Sequence, residues 1–378
     1  MSSNYLEFLD NKTMFYDKID YSIIKKSWDI LSKHINIPYV IHIVGTNGKG
    51  STGRFVASFL YQNKKNVLHY SSPHIIKFNE RIWINNQDSS DELLQQAHEK
   101  LQKILPNNYL VKLTYFEYTT LMAFILSDDL DFLVLEAGLG GEFDATNVVK
   151  NDLSVIPSIG LDHIEFLGDT VEKIATTKLK SCDNSFILGI NMLDETIIVK
   201  NKILKNKQEV FINKDITLPQ NSNKLPNYLI NNLKLALSVI EYLNLKIDNL
   251  IIPSIFGRCQ KITNNITIDV GHNVLAANVI YEEFKDKKIN LIYNTYKDKD
   301  YQKVLKVLKP IINEIQIIKI DDNRILNIDL LINTIKKLNI KYKIYDNIID
   351  KNKEYLVFGS FKVVEKFLEQ KDIKLKID

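Results

Sequence analysis

The sequence predicts an α/β protein of two domains, each built around a mostly parallel sheet. Short apolar runs rich in Ile and Val alternate with stretches of helical periodicity along the chain. The alternation is interrupted by a segment at residues 250–260 that contains Pro253 and Gly257. Strands that alternate with helices build a parallel sheet covered on both faces, and Pro and Gly mark linkers. We therefore expect a first domain at residues 1–255 and a smaller one at residues 256–378.

The first domain begins its alternation at residues 39–44, an apolar run that ends at Gly45. A helix is predicted next, because apolar residues recur at helical spacing between Ser51 and Leu60. The same pattern predicts further strands and helices downstream. The strands are at residues 66–71, 131–137, 153–159 and 185–190, and the helices at residues 114–126, 170–181 and 227–243.

A second alternation follows the interruption and is long enough for a complete small α/β domain. Its predicted strands are at residues 266–270, 289–293, 314–320, 341–345 and 355–358. Its predicted helices are at residues 273–284 and 301–308, with a last one from residue 361.

Composition excludes several classes of protein. With 45% hydrophobic and 25% charged residues and a net charge of +3, the chain is not disordered, collagen-like or a strongly basic nucleic-acid binder. Cys182 and Cys259 provide neither a disulfide framework nor a series of metal ligands, which favours a reducing cytoplasm. The first residues lack the apolar core of a signal peptide, and no apolar run approaches the roughly 20 residues that span a bilayer. We expect a cytoplasmic monomer with no nucleic-acid or membrane partner.

The strongest functional signal is GTNGKGST, residues 45–52, between the first predicted strand and its helix. Glycines let backbone N–H groups and a helix N-terminus face an anion. Lys49 would reach the outer phosphates, and the hydroxyl of Ser51 or Thr52 would meet Mg²⁺. The spacing departs from the usual phosphate loop, since Ile43 occupies the first glycine position and an extra glycine precedes the hydroxyl. A chance glycine-rich turn is the alternative, and the flanking strand and helix favour phosphate binding.

Two further predicted strand ends carry polar side chains. Glu136 ends the apolar run at residues 132–135, where an acid opposite a phosphate loop binds Mg²⁺, positions water or caps the next turn. His163 is placed at the end of another strand, shortly before a helix that contains Lys178. A buried lysine there acts as a base, as a phosphate clamp or, if carbamylated, as an extra carboxylate. The residues alone leave these alternatives open.

Eight motifs occur in a set order: GTNGKGST (45–52), SSPHIIKFNERI (71–82), TYFEYTTL (114–121), EAGLGGEFDATN (136–147), IGLDHIEFLGDTVEKIA (159–175), FGR (256–258), DVGHN (269–273) and YKDKD (296–300). In sequence and order they resemble the folylpolyglutamate synthase and dihydrofolate synthase family of the Mur ligase superfamily. The resemblance runs from about residue 15 to the end of the chain.

The resemblance implies a Mur ligase-like fold, with a phosphate-loop N-terminal domain and a smaller, Rossmann-like glutamate-ligase domain. It implies an ATP- and Mg²⁺-dependent ligase that activates a carboxylate as an acyl phosphate, which the amine of L-glutamate then attacks. The implied acceptors are dihydropteroate, as in a dihydrofolate synthase, and the glutamate tail of reduced folates, as in a folylpolyglutamate synthase. Because these reactants are anionic, such a site needs cations to hold them in line.

The resemblance also assigns roles by motif match. The implied ATP contacts are Asn47, Gly48, Lys49, Gly50, Ser51, Asn232, Arg258 and Asp269. The implied Mg²⁺ ligands are Ser72, Glu136 and His163. The implied catalytic residues are Lys49, Lys178, His163 and His272, where Lys178 matches a lysine that is carbamylated in relatives. The implied pterin contacts are Thr114, Phe116, Phe143 and Tyr21, beside Asp20, although aromatic residues at such spacing are also typical of a core.

The chain departs from the family pattern around two of these motifs. Glu142 follows the double glycine where the family usually has Arg, so an anion contact is missing or replaced. Relatives read E-K-A-G-I around the key lysine, whereas this chain reads TKLKS, with Lys180 two residues after Lys178. The second lysine weakens the assignment of the carbamate to Lys178.

Two other functions compete with this one. A cell-wall amino-acid ligase of the same superfamily would place a nucleotide-sugar domain ahead of the phosphate loop, and the segment before Gly45 is too short for one. A nucleotide-dependent switch of the phosphate-loop type would use the cradle but not Arg258 and Asp269 from a second domain.

Overall fold

This computed structural model describes residues 4–13, 21–213 and 215–371. Their contacts group into two compact units. The first extends to Leu225 and resumes at Leu229–Pro253, and the second comprises Pro226–Tyr228 and the chain from Ser254 onward. The division at Pro253 lies inside the segment that the sequence marks as a linker.

The described part of the first unit contains an eight-stranded sheet in the order β4-β3-β2-β5-β1-β6-β7-β8. The neighbouring strands β2, β5, β1, β6, β7 and β8 pair in parallel in that order. The β2–β3 and β3–β4 pairs are antiparallel. The strands are β1 Tyr39–Ile43, β2 Val67–Tyr70, β3 Ile82–Ile84, β4 Gln87–Asp88, β5 Phe132–Glu136, β6 Leu153–Ile156, β7 Ser185–Leu188 and β8 Gln208–Val210.

Helices pack on this sheet because their apolar residues fall on one face or, in the most buried helices, all round. They are α1 Tyr5–Asp10, α2 Tyr21–Leu31, α3 Lys49–Gln62, α4 Asp91–Ile104, α5 Asn107–Leu110, α6 Tyr115–Leu126, α7 Ile164–Leu167, α8 Val171–Leu179, α9 Asp194–Ile203 and α10 Asn227–Tyr242. The first residues of α10 group with the second unit.

Strands β1 and β5 lie at the centre of the sheet and set the position of the polar residues that follow them. Both are buried over most of their length. Their register pairs Ile43 with Glu136, so the loop after β1 and the acid that ends β5 lie at the same edge. Carboxyl ends of parallel strands are where open α/β sheets bind their ligands.

The described part of the second unit contains a six-stranded sheet in the order β13-β12-β11-β14-β10-β9. All pairs are parallel except that of β10 with β9 at one edge. The strands are β9 Gln260–Thr263, β10 Ile266–Asp269, β11 Ile289–Tyr293, β12 Ile312–Ile317, β13 Lys341–Ile344 and β14 Tyr355–Phe358. The helices are α11 Val274–Phe284, α12 Tyr301–Leu308, α13 Ile328–Lys337 and α14 Phe361–Lys371.

The prediction of two α/β units with mostly parallel sheets is confirmed, and some predicted bounds are wrong. Strand β6 ends at Ile156 rather than at residue 159, and β12 covers residues 312–317 rather than 314–320. Gln260, predicted as part of the linker, begins an edge strand. Within the described residues, no helix is long and apolar enough to cross a membrane.

Candidate active site

The glycine-rich loop joins β1 to α3 and curls tightly. Gly48 has a φ of +84°, a conformation that favours glycine, and a Cβ atom there would lie 2.9 Å from Oδ1 of Asn232. Helix α3 begins at the next residue, Lys49. The loop therefore leads its backbone N–H groups into the positive end of a helix, as an anion site requires.

The segment after β6 holds this loop in place. The backbone N–H of Thr46 donates to the carbonyl of Ser158 at 2.7 Å, and the N–H of Asn47 donates to the Ser158 hydroxyl at 3.1 Å. The Thr46 hydroxyl donates to the Gly160 carbonyl and accepts from the Gly160 N–H, both at 3.0 Å. The cradle is thus tied to the adjacent strand end before any ligand binds.

Three predicted phosphate contacts meet within the cradle. Nζ of Lys49 donates to the carbonyls of Gly45 at 3.2 Å and of Thr46 at 3.3 Å. Nδ2 of Asn232 donates to Oγ of Ser51 at 2.8 Å. The structure therefore brings Asn232, from α10, to the phosphate loop although 181 residues separate it from Ser51.

Glu136 and Ser72, two predicted metal ligands, also come together. The backbone N–H of Ser72, just beyond β2, donates to Oε2 of Glu136 at 3.3 Å. The Glu136 residue is only 5% exposed, and a Cβ atom on Gly50 would lie 3.3 Å from the same oxygen. A buried carboxylate thus directly faces the start of α3.

These groups fit a phosphate chain with a divalent cation. Oγ1 of Thr52 is buried and has no hydrogen-bond partner among the described residues, although such groups are nearly always paired. Carboxylate and hydroxyl oxygens are ligands of Mg²⁺. An anion–cation pair at this loop would therefore meet the carboxylate of Glu136, beside Ser72, together with the α3 N-terminus.

Lys178 lies against the opposite side of the loop. Its Nζ donates to the Gly45 carbonyl at 2.8 Å and to the Gly140 carbonyl at 3.4 Å, and the residue is 5% exposed. Burial, together with the nearby charge of Lys49, lowers the pKa of this amine to about 7. Much of the Lys178 population is therefore neutral near pH 7.

His163 does not lie where the sequence predicts. Because β6 ends at Ile156, His163 is well beyond the strand end and instead precedes the short helix α7, with a φ of +50°. Its side chain is exposed. In the described ranges, no three side chains of His, Cys, Asp or Glu gather around one point. The predicted metal ligands include only two residues of these types, Glu136 and His163, because the third is Ser72.

Two of the predicted pterin contacts form an aromatic pair, in which Phe143 is exposed and Tyr21 is partly buried. The rings of Tyr21 and Phe143 meet edge to face with centroids 5.9 Å apart, and Phe143 is 56% exposed. Burial raises the pKa of Tyr21 to about 12. Asp20, predicted beside Tyr21, lies outside the described residues.

The other two predicted pterin contacts have structural partners. Phe116 stacks on Tyr70 with centroids 5.7 Å apart and lies so close to Gly138 that a Cβ atom there would be 2.7 Å from the ring. The Thr114 hydroxyl donates to Glu117 at 2.8 Å and accepts from the Glu117 N–H at 3.4 Å. Thr114 is therefore the N-cap of α6, in a capping box.

The remaining predicted residues lie in the second unit. Asp269, at the end of β10, accepts hydrogen bonds from the N–H groups of Gly271 at 2.7 Å and Cys259 at 2.8 Å, and from the Tyr228 hydroxyl at 3.1 Å. Burial raises its pKa, an effect that the positive charge of Arg258 opposes. The Arg258 guanidinium lies 5.6 Å from the centre of the Phe361 ring, and Nδ1 of His272 lies 3.2 Å from the carbonyl oxygen of Val270. These side chains surround one end of β10.

Comparison with known proteins places this geometry in a family. No family model matches the chain. The dihydrofolate synthase/folylpolyglutamate synthase of Haemophilus influenzae is 32% identical over 392 residues, which cover 88% of each chain. The chain belongs to the dihydrofolate synthase/folylpolyglutamate synthase family. This confirms the family, the function and the ATP-dependent ligase class that the motifs predict.

Solved structures of the synthase family agree with the fold. The Helicobacter pylori folylpolyglutamate synthetase is 35% identical and superposes with a TM-score of 0.78 over 98% of both chains. A bifunctional synthase from Yersinia pestis, solved with AMPPNP and a Mn ion, is 23% identical and has a TM-score of 0.83 over 98% of this chain and 97% of that one. The second likeness supports the fold alone.

Sequence reasoning missed one buried acid of the synthase site. Asp144 accepts from the Leu139 N–H at 2.7 Å and from the Thr146 hydroxyl at 2.6 Å. Burial raises its pKa, and the charge of Lys178 opposes that rise. Its place inside the motif at residues 136–147 is the signal that could have identified it, since it shapes the loop beside Lys178.

Proposed function

We propose that this chain is an Mg²⁺-dependent ligase that uses ATP to join L-glutamate to dihydropteroate and to the glutamate tail of reduced folates. The observation that carries the proposal is the meeting of the cradle, buried Glu136 and buried Lys178 at the carboxyl ends of β1 and β5. A cation, a carboxylate and a preformed anion cradle are what phosphoryl transfer between two anions needs.

In the first half-reaction, a carboxylate oxygen of the folate substrate attacks the γ-phosphorus of ATP. The bond from that phosphorus to the oxygen that bridges the β- and γ-phosphates breaks. ADP departs, and the substrate carboxylate has become an acyl phosphate. The N–H groups of Gly48 and Gly50 bind the phosphates, while the N–H of Asn47, a predicted ATP contact, holds the loop on Ser158. Lys49 exchanges its carbonyl partners for the γ-phosphate. Ser51, held by Asn232, orients the cradle as charge moves to the leaving oxygen.

In the second half-reaction, the amine nitrogen of L-glutamate attacks the acyl carbon. The bond from that carbon to the phosphate oxygen breaks, phosphate leaves, and the nitrogen loses a proton to give an amide. His163 and His272 stay predicted catalytic residues for proton movement or charge neutralisation. Arg258 and Asp269 stay predicted ATP contacts.

The cation site would use Ser72 and Glu136, with His163 as the third predicted ligand. A bound Mg²⁺ would neutralise charge on the phosphates and polarise the transferring group. Glu136 is suited to this role because it is buried with an oxygen turned toward the start of α3.

Lys178 is proposed as the carbamylated lysine. Carbamate formation joins the neutral amine to CO₂ and releases a proton, so a lowered pKa favours it. Burial and the charge of Lys49 supply that lowering. Lys180 is partly exposed and lacks this environment, which favours Lys178 over its neighbour.

The pterin site is proposed at the aromatic pair Tyr21 and Phe143, with Phe116 and Thr114 as further contacts. Flat pterin rings bind to aromatic faces and edges.

The free cysteines Cys182 and Cys259 suit a reducing cytoplasm, where we place the protein as a monomer.

The experiment is an omission assay with the purified chain. Release of ADP and phosphate should require ATP, Mg²⁺, L-glutamate and a pteroate or folate together, and mass spectrometry should find the acceptor heavier by one glutamate residue. Comparing dihydropteroate with a reduced folate tests the two activities separately. Phosphate release that ignores the acceptor and glutamate would contradict the proposal.

A further inference from the structure

The two departures from the family pattern face each other. Nζ of Lys180 lies 3.0 Å from Oε2 and 3.1 Å from Oε1 of Glu142. The Glu142 side chain is 29% exposed and that of Lys180 is 45% exposed. Glu142 ends the glycine-rich turn after β5, whereas Lys180 is the C-cap residue of α8.

Backbone contacts show that this turn rests directly on α8. The N–H of Glu142 donates to the Thr177 carbonyl at 2.8 Å. A Cβ atom on Gly141 would lie 2.8 Å from both the Thr177 carbonyl oxygen and Cα of Lys178. There is no room for a side chain here, so a small displacement of the turn changes its contact with the Lys178 backbone.

The same turn contacts the Lys178 amine. Nζ of Lys178 donates to the carbonyl of Gly140, two residues before Glu142, as well as to that of Gly45. The turn therefore contacts Lys178 at two points. Gly141 lies against the backbone of Lys178, and the carbonyl of Gly140 accepts from its side-chain amine. An interaction that fixes the turn on α8 fixes the geometry of this lysine.

We propose that the Glu142–Lys180 ion pair is a clamp that holds the turn at residues 137–142 against α8 and so positions the Lys178 amine. The clamp rests on the proposed function of Lys178. Both residues act through Lys178, so they are positioning residues. Where the family usually has Arg, this chain has Glu142 paired with Lys180 at the end of α8.

Charge reversal tests the clamp. In E142K and in K180E, two like charges replace the ion pair, and their repulsion weakens the contact of the turn with α8. We expect each single variant to lower kcat about tenfold, because small misplacements of catalytic groups are costly. The KM for ATP should change less than about twofold, since the cradle has its own ties to the loop after β6.

The double variant E142K/K180E restores opposite charges and should return kcat to within about threefold of the wild type. Equilibrium unfolding of all variants separates positioning from folding. A partly exposed ion pair contributes little to stability, so the midpoint should move little while kcat falls.

A second ion pair on the same helix provides the matched control. Lys173, also in α8, pairs with Asp169 at 2.8 Å, and both side chains are more than half exposed. Neither is placed in the site. Reversal of that pair by D169K or K173E should leave kcat within about twofold.

Failure of the clamp and failure of the proposed function are distinguishable. A wild-type chain without glutamate-dependent phosphate release refutes the function. With an active wild type, two results overturn the clamp: single reversals that leave kcat unchanged, or a double reversal no faster than the slower single variant. A fall in kcat that tracks the loss of stability overturns it as well.

Discussion

Gly48 shows how single residues preform the phosphate loop. Its positive φ turns the chain into α3, and the amide of Asn232 occupies the space where a side chain would lie. The amide then donates to Ser51. Neutral hydrogen bonds therefore help to shape the loop, beside those that the amines of Lys49 and Lys178 donate to its carbonyls.

Lys49→Ala should abolish turnover while the fold is retained. The Lys49 amine donates to two loop carbonyls, at 3.2 and 3.3 Å, so its loss removes charge from the site rather than support from the core. We expect kcat to fall by at least about a hundredfold. Steady-state ADP release and circular dichroism check this, with exposed Lys33→Ala as the control; near wild-type turnover would refute the role of Lys49.

Lys178 should make stability depend on pH. Its pKa is about 7 in the folded chain against 10.5 ordinarily, so between these values the unfolded chain binds a proton that the folded chain does not. The free energy of unfolding should therefore rise with pH from 7 to 9. Lys178→Met should reduce that rise by up to about 1.4 kcal/mol per pH unit.

Urea unfolding in CO₂-free buffer at several pH values measures this difference. Lys12, whose pKa burial lowers to about 8, contributes in the same direction to wild type and variant and cancels in the comparison. Exposed Lys33→Met is the control. Parallel pH profiles for wild type and Lys178→Met would show that this amine is not held neutral.

At the scale of elements, α3 connects the cradle to residues 246–251, which run into the first residues of the linker. Gln62, the last residue of α3, donates to the Ile251 carbonyl at 2.8 Å and accepts from the Ile251 N–H at 2.7 Å. Asn63 makes the same pair of bonds with Lys246, both at 2.9 Å. Each of the two side-chain amides thus pairs with the backbone N–H and carbonyl of one residue, as a neighbouring strand would. Together they fix residues 246–251 to the helix.

Removal of these amides should destabilise the first unit. Gln62→Ala and Asn63→Ala each lose their two hydrogen bonds to residues 246–251 and a third within α3, to Ser58 Oγ and to the Phe59 carbonyl respectively. We expect each substitution to lower the free energy of unfolding by about 1 kcal/mol. Gln62→Glu keeps the acceptor for Ile251 and should lose about half as much. Urea unfolding measures both effects, and an unchanged Gln62→Ala midpoint would contradict this account of the anchor.

The elements that the sequence predicted are those with strong local periodicity. Strands β1, β5 and β11 are buried apolar runs and fall within a residue of their predicted bounds. The hairpin strands β3 and β4 were missed, because two or three residues carry no periodicity and their pairing depends on β2. Edge strand β9 was missed because its exposed, polar residues resemble a linker.

At the scale of the whole molecule, topology explains which parts of the site the sequence could predict. The parallel strands β1 and β5 place Gly45 and Glu136 at one edge of the sheet. Their positions at the ends of two predicted strands were therefore enough to predict that they lie close together. The Glu142–Lys180 pair joins residues 38 apart through the packing of a turn on a helix, which no local pattern encodes. His163 was misplaced because the predicted strand runs through Pro157 to Ile159, whereas β6 ends at Ile156, directly before the proline that cannot donate to the sheet.

The central claim is that the two-unit molecule transfers phosphate to a carboxylate before it forms an amide. The most direct test uses a pteroate or folate acceptor labelled with oxygen-18 in its reacting carboxylate. Mass spectrometry of the phosphate released with ATP, Mg²⁺ and L-glutamate should find one labelled oxygen per phosphate, carried over from the acyl phosphate. Phosphate that contains no label while amide product accumulates would contradict the account.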